Sequence, residues 1–226
     1  MIGLAALLLA TGAPACDVPA ALEAPHVEGA TAEQPARDVP VARYTLALIW
    51  TPQHCRQPVG GATSFRCGAG EGGAFVLHGL WPDGAGDDWP QWCRPAGVLP
   101  AATIRAHYCA TPSPQLIQHE WAKHGTCMAG MTPDSFFALS RRLYAGVRTP
   151  DMAALSRAPG LTAARVARAF AAINRGMPAD AIRLNLTRDG WLQEVWICLD
   201  RSYRARRCPA GQSGAWGNRP VRVRAG

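Results

Sequence analysis

Eight cysteines spread over 226 residues, with no Cys-x-x-Cys pair among them, limit the folds open to this chain more than any other feature. Zinc ribbons and thioredoxin-type sites draw their thiolates from close pairs, so neither is indicated. An even number at long spacings reads instead as a disulfide framework, which belongs to an oxidising compartment. The amino terminus points the same way. Met1 to Ala10 is a short apolar run, and Ala13-Pro14-Ala15 supplies a small-x-small cleavage pattern. Residues 1–15 are therefore expected to be a signal peptide, and the protein to be exported, periplasmic or secreted. No apolar run reaches the roughly 18 residues of a membrane span, so no transmembrane segment is expected.

Two fates are open to Cys16. It can carry a lipid tether, although Ala-Pro-Ala precedes it where a lipoprotein signal usually has Leu three places before the cysteine. Kept as a thiol, it allows four disulfides. The stretch that follows looks like a tether. Residues 17–40 hold four Pro, six Ala and five acidic residues against Arg37 alone. Such a composition buries little, so 16–40 is expected to be a flexible, extended leader. The domain proper is then 41–226, with 22 basic and 11 acidic residues. A body of net charge +11 suits a polyanion such as a nucleic acid, though a solvated Arg-rich surface has the same arithmetic. At 48% apolar and 17% charged residues, wholesale disorder is excluded.

Arg43 to Trp50 alternates and is rich in strand formers, and Ala74 to Leu80 reads as a second strand closed by Trp81-Pro82. Residues 51–73 and 83–100 are Gly- and Pro-rich loops. Helices are expected at 101–109, 114–124, 133–148 (opened by Thr132-Pro133-Asp134) and 163–174 (capped by Thr162). Residues 181–187 and 191–199 flank Arg188-Asp189-Gly190, a hairpin signal. Trp216 to Arg224 is a candidate edge strand. Helices and strands mix without βαβ alternation, so the fold class is α+β.

The chemistry gathers in two segments: His78-Gly79-Leu80-Trp81-Pro82-Asp83 and His119-Glu120-Trp121-Ala122-Lys123-His124-Gly125-Thr126-Cys127. On a helix, His119, Lys123, Glu120 and His124 fall at about 0°, 40°, 100° and 140°, on one face. Trp121 and Ala122 point away from it, and Gly125 is a natural stop. Two imidazoles, a carboxylate and the chain's sole lysine share that face, and the neighbouring cations would repel unless something anionic sat between them. A zincin helix needs His-Glu-x-x-His; here a third residue intervenes, so no metal is expected. Two histidines can divide base and acid roles, a lysine and a third histidine can hold a phosphate, and a tryptophan can stack a base. Together they suit metal-free, cofactor-free cleavage of single-stranded RNA by its own 2′-hydroxyl. The product is a 2′,3′-cyclic phosphate and then a 3′-phosphate, and DNA, lacking the nucleophile, resists.

These two segments resemble the active-site segments of the ribonuclease T2 family, in order and spacing. Residues 43–55 resemble its first core strand and following cysteine, and residues 193–200 with Cys208-Pro209 its cysteine-bearing carboxy-terminal strand. The resemblance implies a central antiparallel sheet with packed helices, stabilised by disulfides. It implies His124 as general base, His78 as general acid and His119 as the phosphate-holding histidine. Glu120 and Lys123 support the transition state, and Trp81 and Asp83 form part of the first base pocket. By resemblance Cys93 pairs with Cys127 and Cys198 with Cys208. Cys55–Cys67 and Cys67–Cys109 are both open. Family members often carry aromatic residues just before the second segment; Gln115-Leu116-Ile117-Gln118 stands there instead, so little stacking at the second base and weak base preference are expected.

Other residues take blander roles. His54 and His107 read as structural and His26 as solvated. Trp50, Trp121, Trp191 and Trp196 read as core. Trp89 and Trp92, in a loop near the first segment, are open to two roles, lining an RNA groove or covering the Cys93 disulfide, and the cover is the favoured one. Nothing suggests a partner helix, so a monomer is expected. Two other classes are weighed: a non-catalytic RNA-binding protein on the same fold, and a zinc hydrolase using His119, Glu120 and His124.

Overall fold

The computed structural model describes residues 16–56, 67 and 74–225, so the expected signal peptide lies outside the described residues. Four antiparallel strands make one sheet. β1 (Arg43–Trp50) lies inside it beside β4 (Leu192–Leu199), with β2 (Phe75–Asp83) at one edge and β3 (Ile182–Leu186) at the other. Around it lie α1 (Thr51–His54), α2 (Ala101–His107), α3 (Pro114–Lys123), α4 (Pro133–Ala145), α5 (Met152–Ser156) and α6 (Ala163–Ile173). The α+β class expected from the sequence is the fold observed.

Alternation along the strands sorts the sheet into two faces. On one, Leu46 lies opposite Leu80 and Ile197, and Leu48 opposite Leu77 and Val195. These residues, with Phe136 of α4 and Phe170 of α6, are the core and are almost wholly buried. On the other face, Thr45 pairs with Trp81, Ala47 with Trp196 and Asn185 with Glu194. This second face carries the polar and aromatic residues of the groove.

Local signals explain the helix starts. Ser113 accepts from the Leu116 N–H at the head of α3, Thr162 does so from Arg165 on α6, and Thr132 and Ser135 form a reciprocal capping box on α4. Gly190, at φ 81°, turns β3 into β4 as the Asp-Gly signal implies.

The structure corrects four local expectations. The expected loop from residue 51 opens with the short helix α1, with Pro52 in its first turn. Trp81-Pro82 does not end β2, which continues to Asp83. Pro82 pairs with Tyr44 there because β2 is an edge strand and its missing N–H faces no further partner. Residues 216–224 form no strand. Pro220 cannot donate, Gly217 takes φ 64°, and the backbone bonds of the stretch go to Ala164, Ala163, Leu161, Gly190 and Leu192 in turn. The leader has no regular element, yet it is not free. Residues 16–42 lie along the body, with Leu22 against the core and Arg37 and Gln91 exchanging both backbone bonds at 2.8 and 2.9 Å.

All eight cysteines are paired: Cys16–Cys109, Cys55–Cys67, Cys93–Cys127 and Cys198–Cys208. Of the two pairings open to Cys67, the structure has the one with Cys55. Cys16 spends its sulfur on Cys109, the same atom that a lipid tether would use. Among the described residues no helix is long and apolar enough to cross a membrane.

Candidate active site

The first segment reaches the groove through a β-bulge. β1 pairs Ala47 with Gly79 but Leu48 with Leu77, so His78 is the extra residue in β2. The bulge lets Leu77 and Leu80 share the core face while Gly79, Trp81 and Asp83 share the other. The second segment is the last turn of α3 and its cap. Gly125 closes it at the only size that fits, since a Cβ there would stand 2.3 Å from the Trp121 ring. A Cβ on Gly79 would stand 1.7 Å from Glu120 Oε2. The glycine of the first segment thus makes room for the carboxylate of the second.

Glu120 is 1% exposed and reaches across β2. Its Oε2 accepts from Trp81 Nε1 at 3.1 Å, and its Oε1 lies 3.4 Å from His78 Nε2. His78 is gripped from the other side by Glu194 of β4, whose Oε1 is 2.6 Å from Nδ1. Glu194 is itself fixed by Trp196 Nε1 at 2.7 Å and Asn185 Nδ2 at 3.1 Å. Burial alone would lower the His78 pKa, but the Glu194 and Glu120 carboxylates outweigh it and hold the pKa above the usual value. Burial would likewise raise Glu194, and the His78 charge with the Trp196 and Asn185 bonds brings it below. Burial raises Glu120 itself.

His124 has the opposite surroundings. It is 6% exposed and lies against the Trp81 ring at 5.7 Å, and no described residue hydrogen-bonds to its Nδ1. Burial, then the cationic Lys123, His119 and His78, drive its pKa well below the usual value. The two histidines flank one indole, His78 meeting Trp81 edge-on at 5.0 Å. His119 stands 6.4 Å from His124. Its Nδ1 is 2.5 Å from Glu28 of the leader. Lys123 donates to Gln34 at 2.9 Å and lies 5.9 Å above the Trp92 ring, with burial lowering its pKa. Beside these residues a cavity of about 460 Å³ is lined by Trp81, Asp83, Trp89, Lys123, His124 and Trp196. Asp83 accepts from Thr45 Oγ1 at 2.7 Å, and burial raises its pKa.

All seven residues expected at the site converge here. Four more were assigned elsewhere or not at all. Glu194 carries no local signal, being 116 positions from His78. Trp196 was read as core, but it lines the cavity 5.6 Å from Trp81. Trp92 was read as cover for the disulfide, but its ring meets His119 edge-on at 5.4 Å. It takes φ 54°, an uncommon conformation for a bulky side chain. Trp89, given the same covering role, lines the cavity. His54 lies close enough to His78 for that charge to add to the lowering of its pKa by burial. His107 is structural as expected, packing on Phe137 at 5.0 Å. His26 is exposed as expected, and its backbone exchanges bonds with the Gln115 side chain. Imidazole or carboxylate atoms of His119, Glu120 and His124 come within 4.8 Å of one another, close enough to consider a metal ion. Yet Glu120 is turned to Trp81 and His78.

The fold is antiparallel α+β and stapled by disulfides, and histidines from a strand and a helix end face one groove. The model of the ribonuclease T2 family matches residues 42–208. A ribonuclease of Aeromonas hydrophila is 30% identical over 161 residues, covering 70% of this chain and 71% of that one. A probable ribonuclease of Haemophilus influenzae is 35% identical over 126 residues, half of this chain and 45% of that protein's length. Among solved structures, the S-like ribonuclease trichomaglin superposes with a TM-score of 0.62 at 20% identity, over 81% of this chain and 97% of its own. RNase NT in complex with 5′-AMP gives 0.58 at 19%, over 81% and 98%. These likenesses are of fold. The chain belongs to the ribonuclease T2 family.

Proposed function

We propose that this protein cleaves single-stranded RNA without a metal ion, through the 2′-hydroxyl of the substrate. One observation carries the reading: His78 has a carboxylate near each ring nitrogen, whereas His124 is buried among cations. Environments that push two histidines apart in this way fit one as acid and the other as base. His124, neutral, takes the proton of the 2′-hydroxyl, and the 2′ oxygen attacks phosphorus. His78, protonated, gives its proton to the departing 5′ oxygen, leaving a 2′,3′-cyclic phosphate. In the second step His78 takes a proton from water and His124 returns one to the 2′ oxygen, leaving a 3′-phosphate. His119 and Lys123 hold the phosphate. Glu120, pinned by Trp81, keeps His78 in line. Trp81 and Asp83 bound the first base, and RNase NT, which shares the fold, forms a complex with 5′-AMP, in keeping with a nucleotide-binding groove. Four disulfides support export, and we read the enzyme as a monomer.

The test is purified, oxidised protein with single-stranded RNA, matched DNA and excess EDTA. Cyclic and 3′-phosphate ends on RNA, with DNA intact, are expected. Loss of activity in EDTA, restored by zinc, would favour the three-residue metal cluster. RNA bound but uncut would favour a binding protein. Changing His124 or His78 to Ala should each lower kcat by about a hundred- to ten-thousand-fold with the melting profile retained; near-normal cleavage by either removes that histidine from its role.

A further inference from the structure

The leader runs along the His119 and Lys123 side of the groove. It is tied to the body by Cys16–Cys109, and Arg105 of α2 holds its Pro19 and Ala20 carbonyls at 2.7 and 3.2 Å. It then runs along α3. Gln115 exchanges bonds with the His26 backbone and donates to the Glu28 carboxylate. The other Glu28 oxygen is the one 2.5 Å from His119 Nδ1, and both side chains are about three-quarters buried there, with 27% and 23% exposed. Six residues on, Gln34 takes the Lys123 ammonium. Pro35 and Arg37 are bonded to Gln91, and the Ala42 N–H to the Asp83 carbonyl, as the chain enters β1.

We infer that residues 16–42 are an inhibitory strap, in which Glu28 stands where a substrate phosphate would stand. The inference rests on the ribonuclease reading of the groove. The two residues assigned to hold phosphate, His119 and Lys123, are both engaged by this segment. Its five acidic residues against one Arg set it as a polyanion on a body of charge +11. Because both ends are fixed, by a disulfide and by β1, the carboxylate is presented at high effective concentration. RNA must displace it, so the strap competes with substrate and leaves the bound complex unaltered. Removing the Cys16–Cys109 bond by substitution frees that end and lowers the effective concentration.

Three full-length proteins test this: wild type, Glu28→Gln, and a Cys16→Ser, Cys109→Ser double variant. With a single-stranded RNA oligonucleotide, both variants should lower KM, Glu28→Gln by about 5- to 150-fold, while kcat stays at the wild-type value. A KM within about twofold of wild type in both variants overturns the strap, and so does a fall in kcat on losing Glu28, which would make that carboxylate part of the machinery. A purely structural contact would shift the melting temperature and leave KM alone. If no protein, wild type included, cleaves RNA, the ribonuclease reading fails separately. The affinity of a nucleoside 3′-monophosphate then decides: tighter binding to Glu28→Gln supports the strap, and equal binding overturns it.

Discussion

Gly79 has no side chain because Glu120 stands where one would go. Gly79→Ala must push that carboxylate off Trp81 and His78 or bend β2. We expect a loss of about 1–3 kcal/mol in stability, as for other overpacked sites, and a larger relative loss of activity; an alanine variant with wild-type kcat would show that Glu120 does not need its place. Glu194 gives a pH signature. The proposed mechanism needs His124 neutral and His78 protonated, so on that reading the acid limb follows the lowered pKa of His124 and the alkaline limb the raised pKa of His78. Glu194→Gln removes the charge that holds the His78 proton. The alkaline limb of kcat/KM should move to lower pH and the acid limb stay; an unmoved alkaline limb would clear Glu194 of that role. The linkage to stability has matching signs. The His78 contribution is present below its unfolded pKa and lost as pH rises through its folded one. The contribution of neutral His124 is present above its unfolded pKa and lost as pH falls toward its folded one. The convergence of the proposed catalytic set on one groove was legible because its members crowd into two short segments. Glu194, Trp92 and Trp196 were not, because each reaches the groove only through strand pairing or a loop conformation.

At the scale of elements, caps and turns write themselves locally, which is why α3, α4, α6 and the β3–β4 hairpin were readable to within a few residues. The bulge at His78 was not. Strict alternation would set Leu77 and Leu80 on opposite faces, and only burial of both against α4 and the sheet core selects the extra residue. The end of β2 was misjudged for a similar reason, since edge position is a property of the sheet. The Cys93–Cys127 bond ties the end of α3 to the loop that carries Trp92, across 34 positions. Replacing both with Ser should cost about 2–4 kcal/mol in denaturant unfolding. It should also raise KM, because the disulfide braces the segment where the Trp92 N–H donates to the Lys123 carbonyl. An unchanged midpoint would deny the bond a structural part.

On the scale of the whole molecule, composition was a poor guide to the leader. A Pro-, Ala- and acid-rich stretch has no core of its own, but its charges are met by a basic body and its first cysteine by Cys109. The same body charge makes a salt prediction. KM for an RNA oligonucleotide should rise steeply with salt, with a logarithmic slope of about 0.7 for each phosphate neutralised. Hydrolysis of a nucleoside 2′,3′-cyclic phosphate, which spans the groove alone, should respond far less. Equal dependence would mean that the arginine-rich surface holds no RNA backbone.

Lys123 is the only lysine in the sequence, and it sits in the groove between Gln34 and Trp92. Apart from the terminal amine, every amine-directed reagent therefore has a single address. Reductive methylation with a carbon-13 label would install one spectroscopic reporter, placed to register what occupies the groove.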